Sequence, residues 1–321
     1  MKTQLSRREF LNRAAWCGLA ASVSPALLSR GASSGPMRQF KLCLVPGSIG
    51  IKVAPQDILA LAHQHGFEAI EANAAFLASL SETALAAFQA EMKAKGLVFG
   101  AASLPVDFRQ DDAKFRAGLE ELPKLAAGLQ RAGVTRVGTY VAPGHDDLTY
   151  DQNFQQHASR LREVARVLKD HDLRLGLEYV GTPSSRQGRR NPFIHSMAGM
   201  RKLIGEIGTG NVGYVLDTWH WWTAGETEAD LRSLKVTDIV SVDLNDAPAG
   251  IPMEQQQDNQ RELACATGVI PVAGFLTALQ RLGYDGPVRA EPFNKKLKAM
   301  STDEACAAVI ASLRQAVALL K

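Results

Sequence analysis

Short apolar strands and helical segments alternate eight times along residues 40–320 of this 321-residue chain. Continuous apolar strands are typical of a parallel sheet that is covered on both faces, and strands that alternate with helices indicate βα units. The predicted strands are 40–45, 67–73, 97–103, 134–141, 173–180, 212–217, 239–244 and 288–293. The predicted helices are 55–65, 81–95, 112–132, 152–171, 196–208, 226–234, 271–282 and 302–320. Eight such units without a break in composition predict one closed (β/α)8 TIM barrel over residues 38–320.

A doubly wound open sheet is the alternative α/β architecture. That fold usually carries a glycine-rich phosphate loop after its first strand. Residues 46–50, with the sequence Pro-Gly-Ser-Ile-Gly, match that motif poorly. The length of the chain also suits a barrel, which typically needs about 250 residues. We therefore expect the closed barrel.

The N-terminal 33 residues resemble a twin-arginine export signal. Arg7 and Arg8 precede Glu9-Phe10-Leu11, and an uncharged, alanine-rich stretch runs over residues 14–28. A helix of that length rises only about 22 Å, which is too short for a hydrocarbon core of about 30 Å. We expect export by the twin-arginine route to the periplasm, without a membrane span in the mature protein.

The net positive charge of the chain comes from this N-terminal segment. The formal charge is +3 overall and +4 over residues 1–33, so the remaining residues carry −1. A slightly acidic body argues against a nucleic-acid partner, because phosphate binding needs clustered lysine and arginine. The composition, with 46% hydrophobic and 21% charged residues, is that of an ordinary globular protein.

Four carboxylates stand at the ends of the last four predicted strands, namely Glu178, Asp217, Asp243 and Glu291. The chemistry of a TIM barrel lies where its strands end, so closure of the barrel directs these side chains toward one volume. Four like charges there would raise one another's pKa strongly unless a cation neutralised them. The pattern predicts a divalent-metal site of oxygen ligands, with His220 nearby.

Several motifs in this part of the chain carry a family resemblance. Residues 215–220 (Val-Leu-Asp-Thr-Trp-His), the strand-end Glu178 and residues 283–293 resemble the sugar phosphate isomerase/epimerase family, which has the xylose isomerase-like TIM barrel. The resemblance implies one divalent metal held by Glu178, Asp217, Asp243 and Glu291. It also implies that Glu178 and Glu291 exchange protons with the substrate, and that His220 and Arg261 contact it.

The sequence departs from the family pattern in two places. Asp243 stands where the family usually has histidine, and the all-oxygen site that results favours Mn²⁺, Mg²⁺ or Ca²⁺ over Zn²⁺. The nearby Asp246 is an alternative ligand to Asp243. The loop that contains Arg261 has Ala264-Cys265 where Pro-Gly is common, which weakens the assignment of Arg261.

Two further residues are predicted to contact substrate. Glu71 ends the second strand, and Trp219 beside His220 would offer an apolar wall to a sugar face, with packing on the barrel rim as the alternative role. The sequence leaves open whether the protein forms an oligomer.

The predicted activity is isomerisation or epimerisation of a keto sugar through an enediolate, with a carbohydrate as the small-molecule substrate. A 3-keto-glycoside or cyclitol lyase or dehydratase would use the same site. Two remote alternatives are an endonuclease of the same barrel superfamily and a non-catalytic sugar-binding protein. The first would need additional histidines at the ends of strands two and three, and the second would need a hinge between two domains.

Overall fold

The barrel is closed by eight parallel strands. A computed structural model of the chain describes residues 38–320, so the predicted export signal lies outside the described residues. The strands are β1 (Lys41–Leu44), β2 (Ala69–Ala72), β3 (Val98–Ser103), β4 (Arg136–Val141), β5 (Arg174–Tyr179), β6 (Val212–Asp217), β7 (Ile239–Leu244) and β8 (Pro287–Ala290). Each strand pairs with its sequence neighbours, and β8 closes the ring by pairing with β1. The predicted fold is confirmed.

Eight main helices cover the outside of the barrel. They are α1 (Ile58–His65), α2 (Glu82–Ala94), α3 (Asp112–Arg131), α4 (Tyr150–Asp170), α5 (Met197–Ile207), α6 (Glu228–Arg232), α7 (Val272–Leu282) and α8 (Thr302–Ala318). Polar N-caps and left-handed glycines set several of their ends. The Ser301 and Glu304 side chains form a capping box at the start of α8, and α7 ends at Gly283 with φ of 74°.

Short elements in the loops were not predicted. Helices occur at Ala74–Ser79, Thr218–Thr223 and Lys295–Lys298, and Gly144–His145 pairs antiparallel with Asn191–Pro192. This pairing ties the loop after β4 to the long loop after β5, which Arg189 and Asp146 also join at 2.9 Å. The long loop after β5 is therefore anchored at the mouth of the barrel.

The core lies between the strands and the helices. All residues of β7 are buried, as are residues 175–179 of β5 and 213–217 of β6, which accounts for their continuous apolar character. Within residues 38–320, no helix is long and apolar enough to cross a bilayer.

Glu226 is a partly buried carboxylate outside the strand-end cluster. It accepts hydrogen bonds from the Tyr179 hydroxyl and from the Met197 backbone N–H at 2.6 Å. Burial nevertheless raises the pKa of Glu226 from its ordinary 4.5 to about 7. The folded protein therefore holds a proton that the unfolded chain releases between about pH 4.5 and 7.

We expect Glu226 to make the protein less stable as the pH rises through this window. The folded state binds more protons than the unfolded state there, so the free energy of unfolding falls with pH, by at most about 3 kcal/mol. In Glu226→Gln the share of this loss that Glu226 causes should be absent. Urea unfolding of the wild type and the variant at pH 5 and pH 8 tests this expectation. If the two proteins differ in free energy of unfolding by the same amount at both pH values, the expectation is contradicted.

Candidate active site

The four predicted carboxylates meet at the C-terminal mouth of the barrel. Glu178 lies in β5, Asp217 ends β6, Asp243 lies in β7, and Glu291 directly follows β8. One carboxylate oxygen of each lies within 4.8 Å of one from every other. They meet because adjacent parallel strands end at the same level, with Asp217 in register with Asp243. Their role as metal ligands stays a prediction.

Asp246 does not belong to this cluster. Its carboxylate accepts backbone hydrogen bonds at 2.7–2.9 Å from Ala247, Thr267, Gly268 and Ile270. It therefore anchors the loop that leads into α7. Of the two candidate ligands, the structure directs Asp243, which lies in β7, toward the other carboxylates.

Replacing Asp246 with alanine is expected to lower the free energy of unfolding by about 3 kcal/mol. The backbone N–H groups of Thr267, Gly268 and Ile270 would lose a shared, buried acceptor. Urea unfolding measures the effect. Asp147→Ala, at an exposed loop position, is the control, with an expected change within about 0.5 kcal/mol. Equal effects in the two variants would contradict this role.

Two guanidinium groups hold three of the four carboxylates. Arg289 contacts both oxygens of Asp243, one at 2.8 Å, and reaches Glu291 at 3.5 Å. Arg261 donates to Asp217 at 2.8 Å and to the Glu291 carboxylate at 3.4 Å. Glu178 differs from the other three. Its Oε1 is buried without a hydrogen-bond partner among residues 38–320.

The site carries an excess of negative charge. Burial raises the pKa of Glu178 well above its usual range, and the neighbouring Glu291, Asp217 and Asp243 raise it further. Burial also raises the pKa of Asp217 to about 7, and the pKa of Glu291 is likewise raised. Counting Asp258, which also accepts from Arg261 at 2.8 Å, five carboxylates face two guanidinium groups. Fully ionised, the group would carry −3, so protons or a bound cation must reduce the charge.

Three residues that were predicted to contact substrate are almost completely buried. The exposed fractions of His220, Arg261 and Trp219 are 2%, 1% and 0%, and none of them lines the cavity at the mouth. His220 lies 3.2 Å from Arg261, and burial lowers its pKa to about 3, so its imidazole is neutral. The indole of Trp219 donates to Thr182 at 2.7 Å. Of the three, Arg261 pairs directly with the clustered carboxylates, and the substrate contacts of all three stay predictions.

A cavity of about 380 Å³ opens beside the cluster. Glu178, Arg289 and Glu291 line one side, and Glu71 with Ser103 lines another. Glu71 accepts from the Ser103 hydroxyl at 3.1 Å, and burial raises its pKa. The volume suits a small-molecule ligand. Glu71 is therefore placed where the predicted contact with substrate requires it, and that contact stays a prediction.

Sequence reasoning missed three residues of the site, namely Arg289, Asn245 and Arg109. Arg289 had a usable signal, because alternation along β8 puts residues 289 and 291 on one face. Asn245 bridges Asp217 and the Glu291 backbone at 2.9 and 3.0 Å. Arg109 lies on the cavity wall, where its guanidinium stacks 4.2 Å from the ring of Tyr140. Loop residues such as Arg109 follow no periodic pattern, so nothing in the sequence indicated it.

A closed barrel whose strand ends bring four carboxylates together defines a (β/α)8 protein with a candidate metal centre. The chain belongs to the xylose isomerase-like TIM barrel family, whose model matches residues 59–316. The predicted family fold is thereby confirmed. A xylose isomerase domain protein from Alicyclobacillus acidocaldarius is 32% identical, with a TM-score of 0.76 over 87% of this chain and 99% of that one.

Two further relatives are more distant. The IOLI protein, solved with a bound zinc atom, is 19% identical, with a TM-score of 0.70 over 87% of this chain and 98% of that one, and shows the shared fold alone. An inosose isomerase from Halalkalibacterium halodurans is 24% identical over 145 residues. That alignment covers 45% of this chain and 48% of the relative, so it spans about half the length of that protein.

Proposed function

We propose that the protein is a divalent-metal-dependent isomerase or epimerase of a keto sugar or a keto cyclitol. The observation that carries the proposal is the convergence of four carboxylates beside an open cavity, with the buried Glu178 Oε1 left without a partner. Similarity to an inosose isomerase supports a polyhydroxy ketone as the substrate class.

The residues present fit a divalent cation. Glu178, Asp217, Asp243 and Glu291 would hold it, and the unpartnered Glu178 Oε1 is the kind of buried oxygen that a cation satisfies. Asp243 keeps free lone pairs although Arg289 occupies both of its oxygens, because a carboxylate accepts at about four sites. Oxygen ligands favour Mn²⁺, Mg²⁺ or Ca²⁺ over Zn²⁺. The cation would supply Lewis-acid stabilisation of negative charge on the substrate oxygens.

The side chains of the protein would move the proton. The reaction removes a proton α to a carbonyl and returns it elsewhere, so it requires a base and an acid of the protein beside the substrate. Glu178 and Glu291 are the pair that we propose. Both line the cavity, and burial raises the pKa of each, which favours proton exchange near neutral pH. Glu71 and Ser103, which also line the cavity, would bind substrate hydroxyls.

Metal analysis and hydrogen exchange test this function together. The purified protein should contain about one divalent ion per chain. In D₂O, NMR should show deuterium at the carbon α to the carbonyl of at least one keto sugar or inosose in a panel, and chelation should abolish this exchange. Release of an unsaturated product would instead identify a lyase. If the metal-loaded protein neither exchanges deuterium into any compound of the panel nor forms a product from it, the proposal is overturned.

The location of the protein is a second proposal. Ser6-Arg7-Arg8-Glu9-Phe10-Leu11 supports export by the twin-arginine route to the periplasm. Replacing Arg7 and Arg8 with lysine should therefore leave the protein in the cytoplasm, as measured by cell fractionation. Replacing Arg13 and Arg30 with lysine is the matched control and should leave export unchanged. Normal export of the Arg7→Lys, Arg8→Lys variant would contradict the proposal.

A further inference from the structure

A second cavity of about 260 Å³ lies beside the carboxylate cavity. Its walls are mainly aliphatic and aromatic, and the side chains that define it are Ile51, Ile58, Ile70, Phe76, Phe88 and Phe99. The ring centroids of Phe76 and Phe88 are 5.4 Å apart, and those of Phe88 and Phe99 are 6.2 Å apart. We call this space the apolar annexe.

The apolar annexe and the carboxylate cavity are neighbours that share part of their lining. Gly47 and Glu71 line both cavities. A Cβ built on Gly47 would meet no atom within 4 Å, so the missing side chain leaves space at this border. The two cavities therefore adjoin at Gly47 and Glu71, and a molecule that occupied both would pass this border.

The chemistry of the annexe selects an uncharged, apolar group. An engineered cavity of about 150 Å³ with similar walls is large enough to bind benzene, so about 260 Å³ accommodates a substituted aromatic ring. Among the described residues that line it, Lys52 is the one basic side chain, and Glu71 at the border repels anions. A phosphate group is therefore a poor occupant.

We propose that the apolar annexe binds an aromatic substituent of the substrate, so that the substrate is an aromatic glycoside with a ketone on its sugar ring rather than a free sugar or a sugar phosphate. The sugar end lies against the carboxylates and the aromatic end against Phe76, Phe88 and Phe99. The assignment of the sugar end rests on the function proposed above. The assignment of the aromatic end rests on the annexe and its shared border.

Matched glycosides test this inference by isothermal titration calorimetry. The probes are the phenyl and methyl glycosides of glucose, galactose and xylose, titrated into the full-length protein at saturating Mn²⁺. At least one phenyl glycoside should bind about 10–100-fold more tightly than its methyl counterpart, because burying the ring removes apolar surface from water. Equal affinities within every pair, or no binding of any phenyl glycoside, would overturn the proposal.

A variant at the border locates the aromatic ring. In Gly47→Leu, whose backbone needs no left-handed conformation, the new side chain should obstruct the border and reduce the preference for phenyl at least tenfold. Gly205→Leu, at an exposed helical glycine that is equally free of neighbours, is the control and should keep the preference. A preference for phenyl that survives Gly47→Leu would place the ring elsewhere and overturn the proposal.

This experiment and the test of the proposed function fail in different ways. If the protein does not exchange deuterium into any keto sugar or inosose but still prefers phenyl glycosides in a Gly47-dependent way, the isomerase function is wrong and the aromatic subsite stands. If exchange occurs on free sugars and the phenyl preference is absent, the function stands and the aromatic subsite is wrong.

Discussion

Glu178→Gln and Glu291→Gln should each lower turnover by about 10²–10⁴-fold, even when the metal is restored, because each removes a positioned acid or base. The substitutions change charge with little change in volume, so the fold should survive. Solvent deuterium should enter the carbon α to the carbonyl with the wild-type protein and not with either variant. Steady-state kinetics on the substrate found in the exchange experiment provides the measurement.

The difficulty in this experiment is that each variant also loses an anionic ligand. Metal content must therefore be measured in each variant, and rates must be compared at saturating metal. Glu120→Gln, on the exposed face of α3, is the matched control and should keep full activity. A Glu178→Gln or Glu291→Gln protein that regains full turnover on addition of metal would show that the glutamate is a ligand alone.

Removing the guanidinium from Arg289 should strongly destabilise the folded protein. Asp243 is completely buried, and Arg289 contacts both of its oxygens. In Arg289→Met the carboxylate would keep its burial and lose its counter-charge, at a cost of about 3–5 kcal/mol. Urea unfolding in the presence of a chelator measures this cost without a contribution from bound metal.

A double variant separates lost pairing from lost packing. Asp243→Asn combined with Arg289→Met removes both charges and should recover much of the stability, because replacing both members of a buried ion pair is far less costly than removing one. If the double variant is as unstable as Arg289→Met, the loss of stability comes from lost packing of the Arg289 side chain. If Arg289→Met alone is as stable as the wild type, the ion pair contributes little.

The barrel and the ends of its strands were predictable because the signals are local. Apolar runs bounded by turns indicated all eight strands, and the observed strands lie within or one residue beyond the predicted ranges. Once the barrel is assumed, its geometry brings the ends of neighbouring strands together. Glu178, Asp217, Asp243 and Glu291 could therefore be grouped without knowledge of a single distance.

The sequence did not show where each side chain points or which residue it pairs with. Four carboxylates suggested that a cation must neutralise them, whereas the folded chain supplies two guanidinium groups, from Arg261 and Arg289, as part of the counter-charge. Asp243 lies in β7, and Asp246 follows three residues farther along. Arg289 pairs with Asp243, whereas a loop 21–24 residues beyond Asp246 supplies backbone donors to that carboxylate.

Burial separated the residues that face the cavity from those that support it. His220, Trp219 and Arg261 are polar or amphipathic side chains in loop motifs, and motif spacing does not show whether such a side chain ends at a cavity or behind it. The apolar annexe was equally invisible, because Ile58, Phe76 and Phe99 come from three separate elements. Local hydrophobic patterns determined the elements and their order, whereas exposure, charge pairing and cavities depend on contacts between distant segments that form only when the barrel closes.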